Sequence, residues 1–138
     1  MAHKERVAVI DGSGRGAALV RAYAKSHNVE SIIAIPGNDL MKTGTDKPVY
    51  TFPTVDTTSI AEIVKICKLN NVSFVDVAQD DAVAKGLVDV LRKKVVALCV
   101  LGPTKAAGEI EWNKAYARQL GTRHSLPQPK YQICNSEE

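Results

Sequence analysis

No apolar run in this 138-residue chain approaches the roughly 20 residues that a membrane-crossing helix needs. The opening Met1-Ala2-His3-Lys4-Glu5-Arg6 leads into a strand-like run and not into the apolar core of a secretory signal. Both absences predict a cytoplasmic protein with no membrane partner. Aromatic residues are scarce, at 5%, so Trp112 and Tyr116 lack the company that a base-stacking platform requires and read as packing. An excess of one charge is missing too. The formal net charge is +3, from 18 Lys and Arg against 15 Asp and Glu, and the cations are scattered, which describes a solvated surface and not a nucleic-acid interface. The three cysteines, Cys67, Cys99 and Cys134, have no C-x-x-C spacing. Cys67 and Cys99 sit inside apolar segments, as buried reduced thiols do. His3, His27 and His124 lie in terminal or loop contexts without ligand spacing, so none is read as a base or a metal ligand. The G-x-x-x-x-G-K-[ST] pattern is absent, which excludes a P-loop nucleotidase.

What the chain does have is Val7-Ala8-Val9-Ile10-Asp11 followed by Gly12-Ser13-Gly14-Arg15-Gly16-Ala17. An all-apolar run fits a central parallel strand covered on both faces. The glycines let backbone approach a ligand closely, and a helix opening near Gly14 turns its unpaired N–H groups and positive dipole end toward the loop. That arrangement favours an anion, most often a phosphate.

Further along, Ser31 to Ile35 reads as a second buried strand stopped by Pro36-Gly37-Asn38. Asp39 to Pro48 reads as a mobile polar loop, and Val49 to Phe52 as a short edge strand. Ile60, Ile63, Val64 and Cys67 give a helix with a Ser59 to Glu62 capping box. Phe74 to Val77 reads as a strand, and Ala78-Gln79-Asp80-Asp81 opens a helix with Val83, Leu87, Val90 and Leu91 inward. Val95 to Leu101 reads as one continuous strand ended by Gly102-Pro103-Thr104. Beyond it, Ala106, Ala107 and Ile110 suggest a short helix, and Trp112, Tyr116 and Leu120 another that ends near Gly121. Tyr131 to Cys134 is at most a strand without a partner. The alternation predicts an α/β, three-layer, Rossmann-like open parallel sheet with helices on both faces. Right-handed crossovers then place the loops at Gly12–Gly16, Pro36–Asn38, Ala78–Asp81 and Gly102–Lys105 on one edge.

Gly12-x-Gly14-x-x-Ala17 meets the spacing of the dinucleotide fingerprint, but the acidic residue expected near the end of the second strand is replaced by Ile35-Pro36-Gly37. The open readings of the glycine loop are a tight structural turn, a dinucleotide site or, favoured, a site for another phosphate-bearing ligand. Asp80 and Asp81 are adjacent in a first helical turn and project differently. That favours capping, or hydroxyl and amine binding, over a general acid and base pair.

The ordered set Gly12-Ser13-Gly14-Arg15, Pro36-Gly37-Asn38, Asp80-Asp81 leading to Gly86-Leu87-Val88-Asp89, and Gly102-Pro103-Thr104-Lys105-Ala106-Ala107 followed by Lys114-Ala115-Tyr116-Ala117 resembles the amino-terminal part of phosphoribosylamine–glycine ligase. Ile110-Glu111-Trp112 is similar to its archaeal members. The resemblance implies a pre-ATP-grasp domain at residues 1–104, with residues 105–138 as the start of a truncated ATP-grasp portion. It implies an ATP- and Mg2+-dependent carbon–nitrogen ligase of purine biosynthesis, in which glycine is activated as an acyl phosphate and attacked by the amine of phosphoribosylamine. The remaining ATP-grasp domains, in cis or in trans, would be the partners, and this chain alone would be inactive. A free-standing phospho-ligand or dinucleotide-binding module is the alternative. By the same resemblance Gly14, Arg15, Pro36, Gly37 and Asn38 would line the phosphoribosylamine pocket, and Asp80 would face the ribose or amine. Lys105 and Lys114 would lie near ATP phosphates. Gly12, Ser13 and Asp81 complete the substrate-binding candidates; no residue is given a catalytic or metal-binding role. Two departures stand out. The family's Gly-Arg-Glu-His is here Gly14-Arg15-Gly16-Ala17, and its Gly-Pro-Glu is Ala78-Gln79-Asp80.

Overall fold

A computed structural model describes residues 4–134 of the chain, and His3 lies outside them. Five strands form one fully parallel sheet: β1 (Glu5–Asp11), β2 (Val29–Pro36), β3 (Val49–Thr51), β4 (Phe74–Val77) and β5 (Cys99–Leu101). Their order across the sheet is β3-β2-β1-β4-β5. The chain therefore builds outward from β1 to one edge, then returns to the other side of β1 and builds outward again. β1 and β4 flank the point where that direction reverses, and in open α/β sheets this is where neighbouring loops part to leave a crevice.

The helices are α1 (Gly14–Ala24), α2 (Ile60–Leu69), α3 (Asp80–Lys85), α4 (Leu87–Lys94), α5 (Lys105–Trp112) and α6 (Lys114–Arg123). Strand alternation divides the core. Ala8, Ile10, Ile33, Ile35, Val75 and Val77 face the layer that holds Ile63, Cys67, Leu87 and Leu91. Val7, Val9, Ile32 and Ala34 face Ala17 and Val20 of α1 together with Met41. Because both faces of the central strands are covered, β1 and β2 read in sequence as unbroken apolar runs.

Several expectations are corrected. Asp39 to Pro48 is not simply an open loop: Asp39–Lys42 forms a 3-10 helix that drives Met41, fully buried, under α1. Ser59 makes no capping bond; Asp56 instead turns the chain, its Oδ1 accepting the N–H of Thr58 at 2.7 Å. The helix expected across Asp80 to Lys94 breaks at Gly86, whose φ of +86° closes α3 and starts α4. The expected strand from Val95 to Leu101 shrinks to Cys99–Leu101, because β4 has only four residues and pairs with β5 through Phe74–Asp76. Ala97 turns at φ +61° and Val96 stands 95% exposed. Trp112 ends α5 and does not join Tyr116 and Leu120, which lie on α6; that helix runs to Arg123. Tyr131 to Cys134 forms no strand.

Cys99 is the remaining correction. As part of an edge strand it is exposed, like Cys134, whereas Cys67 is buried and burial pushes its thiol up to about 12. Only a thiolate attacks a disulfide reagent. Titration of the native protein with an aromatic disulfide at pH 8 is expected to modify Cys99 and Cys134, with Cys67 reacting only in denaturant.

Candidate functional site

The glycine loop is built on a buried acid. Asp11, the last residue of β1, is fully buried. Its carboxylate accepts the backbone N–H of Ser13 through Oδ1 and the Arg15 Nε–H through Oδ2 at 3.1 Å. Burial works against the charge, but the bonds from Ser13 and the Arg15 guanidinium outweigh it and hold the carboxyl below the usual aspartate range. Ser13 caps α1, its Oγ accepting the Arg15 N–H at 3.2 Å. The first-turn N–H groups of Gly14 and Gly16 have no acceptor within their own helix, as the start of any α-helix requires. The two glycines serve different ends. At Gly14 an added Cβ would meet nothing within 4 Å, so backbone faces open space. At Gly16 it would come 2.8 Å from Asp11 Cβ and 2.9 Å from Met41 Cε, so its absence lets α1 seat on β1.

The end of β2 closes over this loop. A Cβ at Gly12 would come 2.9 Å from Pro36 Cγ. Gly37, at φ +70°, packs where a side chain would strike Thr51 and Ala34. Asn38 then reaches back, its Nδ2–H donating to the Gly12 carbonyl at 3.0 Å. The loops after β1 and β2 are thus one unit. Asn38 Oδ1 is buried there without a hydrogen-bond partner among the described residues.

At the sheet's reversal point the loops after β1 and β4 form one side of a cleft of about 270 Å³, with Arg15, Ala78 and Asp80 in its lining. Its other side is α5, through Gly108, Glu111 and Trp112. The helix is held there by its own cap, Thr104 Oγ1 accepting the Ala107 N–H at 3.2 Å, and by Gly108, which lies directly against Val83 of α3. Arg92 of α4 donates to the carbonyls of Val100 and Gly102, tying α4 to β5 and the turn after it. The cleft falls below the roughly 300–1,000 Å³ of pockets that hold drug-sized ligands. It suits a small polar molecule and not a dinucleotide. A larger and mainly apolar concavity, about 680 Å³, lies at the opposite, amino-terminal edge beside Tyr23, Phe74 and Cys99.

The structure brings Gly12, Ser13, Gly14, Arg15, Pro36, Gly37 and Asn38 into one unit and places Asp80 across the cleft from α5. It does not bring the others there. Asp81 is exposed and lies outside the cleft lining. Lys105 donates its backbone N–H to Asp89 Oδ2 at 2.8 Å, and its side chain lines a separate groove of about 550 Å³ beyond Trp112. Lys114 is exposed at the start of α6. Three residues of the site escaped sequence reasoning: Asp11, Glu111 and Trp112. Asp11 carried a signal, being the one acid ending an apolar strand before a glycine loop. Glu111 and Trp112 carried none, since only the fold of α5 turns them toward Arg15. Among the described residues no three His, Cys, Asp or Glu side chains cluster closely enough to hold a metal ion, and no helix is long and apolar enough to cross a membrane. The donor set here does not fit Mg2+.

The fold recurs in known proteins. Biotin carboxylase domains share the fold: that of a single-chain bacterial carboxylase superposes with a TM-score of 0.59 at 14% identity, covering 90% of this chain and 30% of the other. That of a thermophilic 2-oxoglutarate carboxylase gives 0.61 at 16% identity, covering 91% and 29%. In sequence, the phosphoribosylamine–glycine ligase of Streptococcus pneumoniae serotype 4 is 29% identical over 91% of this chain and 29% of its own length. The bifunctional purine biosynthetic protein purD of Dictyostelium discoideum is 30% identical over 96% of this chain and 16% of its own. The chain thus spans less than a third of the curated relatives it matches. The family model described as "Phosphoribosylglycinamide synthetase, N domain" matches residues 5–111, from the first residue of β1 nearly to the end of α5. With sheet, glycine loop and α5 all inside that match, the chain belongs to the phosphoribosylglycinamide synthetase N-domain family.

Proposed function

We propose that this chain supplies the phosphoribosylamine pocket of a cytoplasmic, ATP-dependent ligase that joins glycine to phosphoribosylamine in purine biosynthesis. The observation that carries the reading is the open Gly14 backbone beside a half-exposed Arg15, which with Asp80 forms one side of a cleft of sugar-phosphate size. The Gly14 and Gly16 N–H groups and the guanidinium nitrogens of Arg15 not used by Asp11 hold the phosphate. Pro36, Gly37 and Asn38 fix the loop, and Asp80 accepts from a ribose hydroxyl or the amine. Holding the amine in place is this chain's contribution to rate, since orientation removes much of the entropy cost of the bimolecular step.

ATP would supply phosphoryl activation of glycine, and Mg2+ with it, on the part of the ligase beyond this chain. Residues 105–138 are proposed to lead into that ATP-grasp portion, with α5 anchored on α3 and the exposed cations Lys105 and Lys114 turned toward ATP phosphates. The isolated chain binds substrate but does not ligate.

Calorimetric titration with glycinamide ribonucleotide is the test. Arg15→Ala is expected to weaken binding about 10- to 100-fold, the value of one charge-assisted hydrogen bond. Equal affinity in the variant, or no binding by the unmodified chain, would remove the pocket assignment.

A further inference from the structure

One donor on a residue that lines the cleft has no partner among the described residues. The indole Nε1 of Trp112 is shielded from solvent and finds no acceptor among the described residues. Unpaired buried N–H groups are rare in folded proteins because nothing repays their lost hydration. Asp80 and Glu111 line the same cleft, and neither accepts it. Trp112 packs against the main core from its margin, at the last turn of α5. Phenylalanine would satisfy that packing at no polar cost. What tryptophan adds at this position is a donor, on a residue that lines the same cleft as Arg15.

We propose that Trp112 is a ligand-positioning residue: when the ring turns enough to uncover it, its indole N–H donates to a sugar oxygen of a pentose phosphate whose phosphate rests at Gly14 and Arg15. This rests on the phosphate-site reading above and adds the second wall of the pocket. Arg15 and the open loop take the anionic end, while Asp80 and Glu111 are acceptors for hydroxyl or amine protons. Trp112 supplies the one neutral side-chain donor for a ring or hydroxyl oxygen. Inorganic phosphate, which engages only the first wall, does not reach it.

Trp112 is the sole tryptophan, so its emission reports the cleft directly. The whole chain is titrated with inorganic phosphate, ribose 5-phosphate and glycinamide ribonucleotide. The two sugar phosphates are expected to shift Trp112 emission, and inorganic phosphate is not. Trp112→Phe, and replacement of Trp112 by 3-benzothienylalanine, which keeps the ring shape and puts sulfur in place of N–H, are followed by calorimetry. Each should bind ribose 5-phosphate about tenfold more weakly, the loss of one hydrogen bond. Inorganic phosphate affinity should not move, and the urea midpoint of the benzothienyl variant should hold or rise, because an unpaired buried donor is removed. Unaltered ribose 5-phosphate affinity in that variant overturns the inference and leaves the phosphate site standing. Binding of ribose 5-phosphate through Trp112 without binding of glycinamide ribonucleotide supports the inference and defeats the ligase reading. Lys85 lines the groove on the other side of Trp112, so an emission change lost in Lys85→Ala and kept in Arg15→Ala puts the ligand there and overturns the inference. Failure of the unmodified chain to bind any sugar phosphate overturns both.

Discussion

Gly108→Val is expected to destabilise the protein by about 2–3 kcal/mol and to abolish ligand binding at concentrations that saturate the unmodified chain. A Cβ at Gly108 would overlap Val83 Cγ1 of α3, and Pro103 Cγ waits 3.3 Å away on the other side. Val83 is itself buried in the main core, and the open space beside it is the cleft. The strain is relieved by lifting α5, which carries Glu111 and Trp112, one whole side of the cleft, or by pushing Val83 into the cleft itself. Urea denaturation and glycinamide ribonucleotide titration check the two effects. Gly14→Ala is the matched control for folding. Nothing lies within 4 Å of its Cβ, so the midpoint should stay level or rise slightly, as glycine-to-alanine changes in helices do. A Gly108→Val protein as stable as the original would mean that α5 is not seated as described.

Asp11→Ala should cost about 2–3 kcal/mol. The substitution strips the Ser13 N–H of its acceptor and leaves a void beneath the loop. Arg15, 54% exposed, is rehydrated and contributes little of the penalty. Asp11→Asn keeps an acceptor for Ser13 and should cost roughly half as much. The ion pair also fixes a pH dependence. The folded-state pKa of Asp11 lies below the ordinary 3.8, so the unfolded chain takes up the proton first. Its stabilisation is complete above the unfolded value and is lost as pH falls through the folded one. The stability gap between unmodified protein and Asp11→Asn is therefore expected to be flat above about pH 5 and to close below about pH 4. A gap that widened on acidification would assign the charge on Asp11 the wrong role.

The parts of the site legible in the sequence are those whose signal is local. Gly12-Ser13-Gly14-Arg15 announces a strand end, a cap and a helix start within four residues, and the structure places each there. Pro36-Gly37-Asn38 likewise ends β2 where a proline and a positive φ end it. The misread elements are those decided by neighbours. Val95 to Leu98 has a strand's composition and no strand to pair with. Gly86 is one residue in a continuous apolar periodicity, and its left-handed conformation splits the helix. Asp39 to Pro48 looks like polar linker around Met41, which nevertheless enters the core.

The sequence by itself determined the parallel α/β architecture, the glycine loop at the end of β1 and the family, because apolar periodicity, turn residues and ordered motifs are properties of short stretches. Only the tertiary structure decided that β4 lies beside β1, so that Asp80 faces the loop of Arg15, and that α5 folds back on Val83 to close the cleft with Trp112. Those juxtapositions join residues up to about a hundred positions apart. They follow from strand order and helix packing, which depend on the summed burial of the whole core, and no local pattern encodes that sum.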